Sequence, residues 1–200
     1  MSSIYHSTRN IKVSDLGREN TLPNFGVNIP GYKIILKDNL PKGVYQGAVK
    51  EGSFKAMPYM IQDQYNRAQK DSTLNTIVLE NSKVRATFYP QFGGRIASLY
   101  DKVKKQELLF DNPVFQPANL ALRNAWFSGG IEWNGPVYGH ALLTCTPVYF
   151  AKVKVDSQEI LRVYEYDRLL NTTWQVDLYL PEDSSNIWYH VTARNLNNYE

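Results

Sequence analysis

The residues best suited to chemistry in this chain gather in one stretch, from Asn112 to His140. Glu132 and His140 are its acid/base pair, a carboxylate and an imidazole that can trade a proton or hydrogen-bond to a ligand near neutral pH. Around them stand Trp126, Trp133, Phe115, Phe127 and Tyr138, the amides of Asn112, Gln116, Asn119, Asn124 and Asn134, and Arg123. The stretch also holds Pro113, Pro117 and Pro136, and four of the chain's twelve glycines, at 129, 130, 135 and 139. Apolar anchors order a loop, glycines permit tight backbone, and amides suit a hydroxyl-rich ligand. Such a long segment without a sustained period is expected to be functional rather than a mere connection. A second reading stays open, in which Glu132 pairs with Arg123 to brace the loop and His140 is structural at the turn beside Gly139.

Several chemistries are excluded. No His, Asp or Glu spacing matches a metal-binding H-x₃-H or HExxH arrangement, so no metal site is expected. Ser128-Gly129-Gly130 lacks the preceding Gly-x of a nucleophile elbow. Gly93-Gly94 alone is too little glycine to cradle a phosphate, and no cofactor is expected. Cys145 is the chain's one cysteine, which rules out an intrachain disulfide and reads as a buried small hydrophobe. His6 and His190 read as structural.

The elements that must position the loop follow from pattern and composition. The chain has 200 residues, enough for one substantial core without staples, and is 43% hydrophobic and 20% charged, which excludes intrinsic disorder. Aromatics reach 13%, which favours pleated β surfaces. The net charge is +3, and the first 75 residues carry ten Lys/Arg against six Asp/Glu without forming a block. Nucleic acid is therefore not an expected partner. No apolar run reaches membrane-spanning length and the N-terminus lacks a signal-peptide core, so a cytoplasmic, membrane-free protein is expected.

Residues 1–75 read as an N-terminal arm packed on the main body. Glycines and prolines interrupt it, and only Tyr32–Lys37 and Val44–Lys50 read as short strands. From about residue 76 to 200 the pattern has period two. Val84, Ala86 and Phe88 share one face, as do Trp174, Val176, Leu178 and Leu180. Further strands are expected at Arg95–Tyr100, Glu107–Phe110, Val148–Val155, Glu159–Tyr166 and Ile187–Arg194, and no window supports a long helix. The expected fold is all-β, an antiparallel β-sandwich.

Three segments resemble a known family. They are Leu79–Asp101 (Leu-Glu-Asn-Ser-Lys-Val-Arg-Ala-Thr-Phe-Tyr-Pro-Gln-Phe-Gly-Gly-Arg-Ile-Ala-Ser-Leu-Tyr-Asp), Glu107–Asn119, and Leu122–Asn134 with its Gly-Gly-Ile-Glu-Trp-Asn ending. The chain is similar here to bacterial uncharacterised domains related to galactose mutarotases, often found before tetratricopeptide repeats. The resemblance runs from about Gln62 to Asn195 and more loosely over residues 1–61. It implies a β-supersandwich and carbohydrate recognition, without fixing a reaction.

On that resemblance, a sugar or sugar derivative is the expected partner. A mutarotase needs an acid and a base on opposite sides of one ring, which would cast Glu132 and His140 as catalytic. Trp126 and Trp133 can stack on a sugar face or anchor the loop. Arg95 and Arg123 can together hold a sugar carboxylate or phosphate, or be ordinary ion-pair residues. Asn119 and Asn134 can read hydroxyls or cap the loop. The competing functions are an aldose 1-epimerase-type enzyme and a non-catalytic protein-interaction domain. The resemblance also implies a sandwich left incomplete at the C-terminal strand. That suggests no catalysis by this chain alone, and either a homo-oligomer through the open sheet edge or the N-terminal arm folded over it.

Overall fold

The computed structural model describes residues 2–21, 57–135 and 139–198. The strands expected at Tyr32–Lys37 and Val44–Lys50 lie outside them. The described residues contain twelve β-strands and no helix. In chain order they are β1 (Ser3–Ser14), β2 (Gln69–Glu80), β3 (Val84–Tyr89), β4 (Arg95–Asp101), β5 (Gln106–Glu107), β6 (Val114–Phe115), β7 (Ala118–Ala121), β8 (Asn124–Trp126), β9 (Tyr149–Val155), β10 (Gln158–Asp167), β11 (Thr172–Tyr179) and β12 (Trp188–Asn195). A six-stranded sheet has the order β5-β4-β3-β2-β1-β6, and a four-stranded sheet the order β12-β11-β10-β9. β7 and β8 form a small ribbon of their own. All pairings are antiparallel except β1 with β6. The all-β sandwich expected from period-two alternation is the fold found.

The strands form where pattern and turn chemistry agree. Val84, Ala86 and Phe88 are all buried while Arg85 between them is exposed, the alternation of a strand with one dry face. The β9–β10 turn is the two residues Asp156 and Ser157, both at positive φ, a conformation that matches the strand twist. After β10, Asp167 Oδ1 accepts from the N–H groups of Leu169 and Leu170. Asn81 closes the β2–β3 turn through bonds from Lys83 and Val84 N–H. Its Nδ2 donates to the carbonyls of Pro181 and Ser184, tying the two sheets at one end.

The N-terminal segment departs from the expected arm of broken elements. Its first fourteen residues include a twelve-residue strand that pairs with β2 along its whole length and sits inside the six-stranded sheet. Apolar alternation there is sparse, with Ile11 its one buried apolar residue. Ladder hydrogen bonds and polar cross-strand contacts such as Thr73 Oγ1 to Asn10 Oδ1 hold it instead. The expected strand at Glu107–Phe110 shrinks to β5, because Glu107 turns its carboxylate inward to Ser98 Oγ and Leu99 N–H.

Two apolar clusters result. The larger lies between the sheets around Leu79, Phe88, Leu161, Val163, Leu178 and Leu180, each at most 1% exposed. Burying each such side chain contributes about 1.5–3 kcal/mol. Gly94 lies at φ +68°, with Val163 and Val148 of the facing layer filling the space a Cβ would need. The smaller cluster clamps the 112–127 segment. Phe92 stacks on Phe115 at 4.0 Å, and Phe127 meets both edge-on.

Cys145 is 1% exposed within that second cluster. Burial pushes its thiol up to about 12, against the opposing pull of Arg95. In mildly alkaline buffer the native thiol therefore stays protonated and covered. We expect no reaction with a thiol reagent until denaturant exposes it, when one equivalent reacts. Rapid labelling of the folded protein would mean that this cluster opens.

Candidate functional site

The site begins with a close approach of backbone. Gly130 lies at φ +69°, and a Cβ there would sit 2.1 Å from the carbonyl oxygen of Ile96. Only glycine lets the loop press against β4 so tightly. Ile131 then exchanges both main-chain hydrogen bonds with Ile96, which aims Glu132, Trp133 and Asn134 along the opening between the two sheets.

That opening is a groove of about 960 Å³. One wall carries Glu132, Trp133 and Asn134, the other Asn186, Trp188 and Tyr189, with Leu142, Val176 and Leu178 among the residues of the floor. Trp133 donates its Nε1–H to Gly94 O at 2.8 Å, so its polar edge is anchored while its ring faces Tyr189, centroid to centroid 6.4 Å. Asn134 is exposed and accepts from Ala141 N–H at 2.9 Å.

Glu132 and His140 form one hydrogen-bonded unit. His140 Nδ1 lies 2.9 Å from Glu132 Oε2, which also accepts from Trp126 Nε1 at 3.1 Å. Oε1 accepts from Ala141 N–H at 3.1 Å. The His140 and Trp126 rings lie 4.8 Å apart. Two groups bonded to each other cannot flank a sugar ring as opposed acid and base, so the geometry removes the arrangement that a two-sided mechanism needs. His140 is half exposed but does not line the groove. The partnership expected between Glu132 and Arg123 is also replaced, since Glu132 is 4.0 Å from Arg95 while Arg123 pairs with Glu19.

The two arginines lie deep in the protein, at 2% and 3% exposure. Arg95 donates to the carbonyls of Phe127 and Gly129 and to Thr144 Oγ1, with its guanidinium 3.8 Å above the Phe127 ring. Arg123 donates to the carbonyls of Met60 and Leu142, to Thr146 Oγ1 and to Glu19 Oε1. Burial lowers both guanidinium pKa values, with Glu132 opposing the shift at Arg95 and Glu19 at Arg123. Buried and absent from the groove's lining, they do not form the paired anion site that their sequence positions suggested. Asn119 is exposed on β7, and Trp126 is turned toward His140; neither lines the groove. Among the expected site residues, the groove thus brings together Glu132, Trp133 and Asn134 only.

The opposite wall, Asn186 to Tyr189, escaped the sequence reading. Its one signal was two consecutive aromatics opening a strand, where strict alternation would bury only one. No group of His, Cys, Asp and Glu that could hold a metal occurs among the described residues, and no helix there is long and apolar enough to cross a membrane.

These contacts define a bracing system whose loss is measurable. In Glu132→Gln an amide NH₂ must confront one of three donors, and stability should fall by about 1–3 kcal/mol in urea unfolding. Arg123→Met strands the buried Leu142 carbonyl, the part-buried Met60 carbonyl and the Glu19 carboxylate, and should cost about 2–3 kcal/mol. Wild-type stability in either variant would refute the bracing role.

The chain superposes on a TPR-domain containing protein from Parabacteroides distasonis ATCC 8503 with a TM-score of 0.73 and 19% sequence identity. The match covers 96% of this chain and 29% of that one, so the present chain spans under a third of that protein's length. At this identity the likeness establishes the fold alone. Residues 53–197 match the family described as Domain of unknown function (DUF5107), and the chain belongs to that family.

Proposed function

We propose that this chain is a carbohydrate-recognising domain of mutarotase-like type, with the sugar seated at the Glu132–Asn134 end of the groove. The observation that carries the reading is the succession of a carboxylate, an indole and an amide on one groove wall, opposite Asn186 and Tyr189. Aromatic faces suit the C–H surface of a pyranose, and amides suit its hydroxyls. The groove's remaining lining is mostly apolar, with Ile96, Leu99, Val176 and Trp174 among its residues and Thr144, Asp167 and Ser185 as polar exceptions, which favours a ligand that presents an apolar face as well as hydroxyls. Recognition without catalysis is the form favoured, because Glu132 and His140 are bonded to each other and the groove's other carboxylate, Asp167, is buried and accepts from the N–H groups of Leu169 and Leu170 in the turn after β10.

Saturation-transfer NMR against free sugars, sugar acids and sugar phosphates tests this directly. We expect transfer to at least one neutral sugar, abolished in the Asn134→Ala/Asn186→Ala variant at unchanged melting temperature. Binding that survives the double variant, or no binding by any sugar class, would defeat the assignment. Polarimetry should record mutarotation at the uncatalysed rate, and acceleration by this chain would restore the enzymatic reading.

A further inference from the structure

The four-stranded sheet has a second face, turned away from the groove. Leu161 and Val163 on β10, with Val176 and Leu178 on β11, are buried between the sheets. Alternation therefore puts Tyr164 and Gln175 on the opposite side. The registers set Tyr149, Tyr164, Gln175 and Thr192 opposite one another in a row across β9, β10, β11 and β12. The row beside it holds Tyr166 and Arg194, on either side of Thr173. A depression of about 270 Å³ is lined by both rows.

Its side chains are held in place by their neighbours. The rings of Tyr149 and Tyr164 stand nearly parallel, centroids 5.5 Å apart and planes at 26°. Arg162 forks onto Asp177 through Nε and Nη2, and Asp177 Oδ2 accepts from Gln175 Nε2 at 3.1 Å. With its NH₂ so engaged, the Gln175 amide keeps its oxygen as an acceptor for a ligand. Tyr166 Oη donates to Asn171 Oδ1 at 2.6 Å, which fixes that ring as well. The charged residues of the lining are Arg194 and Glu165, whose opposite signs offset each other and suit a neutral occupant. Aromatic faces meet the C–H surface of a sugar, and the amide oxygen, the Thr192 hydroxyl and the Arg194 guanidinium meet its hydroxyls.

The dimensions select the length of that occupant. Adjacent strands lie about 4.8 Å apart, so the row from Tyr149 to Thr192 spans about 14 Å, longer than one pyranose ring and matched to two or three linked ones. The depression is also slightly smaller than the roughly 300 Å³ at which pockets for free small ligands begin, so a single ring gains too little contact there. We propose that this outer face binds a stretch of neutral linear glycan laid across the strands. One sugar ring rests on Tyr149 and Tyr164, and the next offers its hydroxyls to Gln175, Thr192 and Arg194. The groove and this face lie on opposite sides of the same sheet, so the two sites are independent.

Amide-resolved NMR titration of the whole chain reads the two faces separately. The probes are cellohexaose, laminarihexaose, xylohexaose and mannohexaose, with glucose, xylose and mannose beside them. We expect at least one hexasaccharide to shift the amides of Gln175, Thr192 and Arg194 saturably, while its monosaccharide leaves them unmoved. Tyr149→Ala and Arg194→Ala should each weaken that binding about tenfold. Both side chains are exposed, so the melting temperature should not change; should a variant lose its fold, the shifts of the wild-type chain decide. Outer-face shifts without any at Asn134 and Asn186 would support this site even if the groove bound no sugar. Shifts confined to Asn134 and Asn186 would overturn it and leave the groove's assignment standing. Undiminished binding in both folded variants, or no response to any hexasaccharide, would overturn it too.

Discussion

A guanidinium cut off from water must be satisfied by fixed groups, and the Arg95 site is where this protein meets that requirement. Its donors reach two carbonyls of the 127–129 segment and the hydroxyl of Thr144, while its flat face rests on Phe127. Its Nε finds no acceptor and lies in the plane held against that ring. Because charge in a dry interior is costly unless its partners are in place, the loop has little freedom at Phe127 and Gly129. Those residues lead directly into Gly130 and Ile131, and so into the groove wall. A charge at the start of β4 thus fixes side chains that line an opening it does not itself touch.

Arg123 does the same for the other end of the loop and brings the N-terminal segment into the arrangement. It gathers carbonyls from Met60 and Leu142 and the carboxylate of Glu19. Gln62 N–H binds Arg123 O, and Arg9 forks onto Asp111 with two bonds of 2.6 Å. Ser14 Oγ reaches Gln116. The first twenty residues and the loop therefore share one hydrogen-bond network, and the groove wall rests on both.

What was legible in the sequence is what local period controls. β3, β4 and β9 through β12 lie where strands were expected, and the apolar faces read for β3 and β11 are the ones that turn inward. β1 does not, because a polar ribbon held by ladder bonds has no hydrophobic signature. In the loop, composition marked Glu132, Trp133 and Asn134. Depth is not written in residue type: nothing about Arg95 or Arg123 distinguishes an exposed ion-pair residue from a buried brace. Nor does the spacing of Glu132 and His140 reveal that backbone at positive φ, such as Gly130 and Gly139, folds them into contact. The far wall was hidden for a different reason, since a groove between sheets belongs to their packing and to neither strand alone.

The parallel step from β1 to β6, where Lys12 and Val13 lie beside Val114 and Phe115, joins positions about a hundred residues apart. Closing a loop of that size costs chain entropy before any contact repays it. The hairpins of the four-stranded sheet need only short closures and can form early. The seam between β1 and β6 holds Phe115, and with it the clamp of Phe92 and Phe127 on the site loop. During synthesis β1 leaves the ribosome before β6 and must wait for it, its edge bare in the meantime. The clamp behind the groove wall thus depends on a contact between β1 and β6, two strands far apart along the chain.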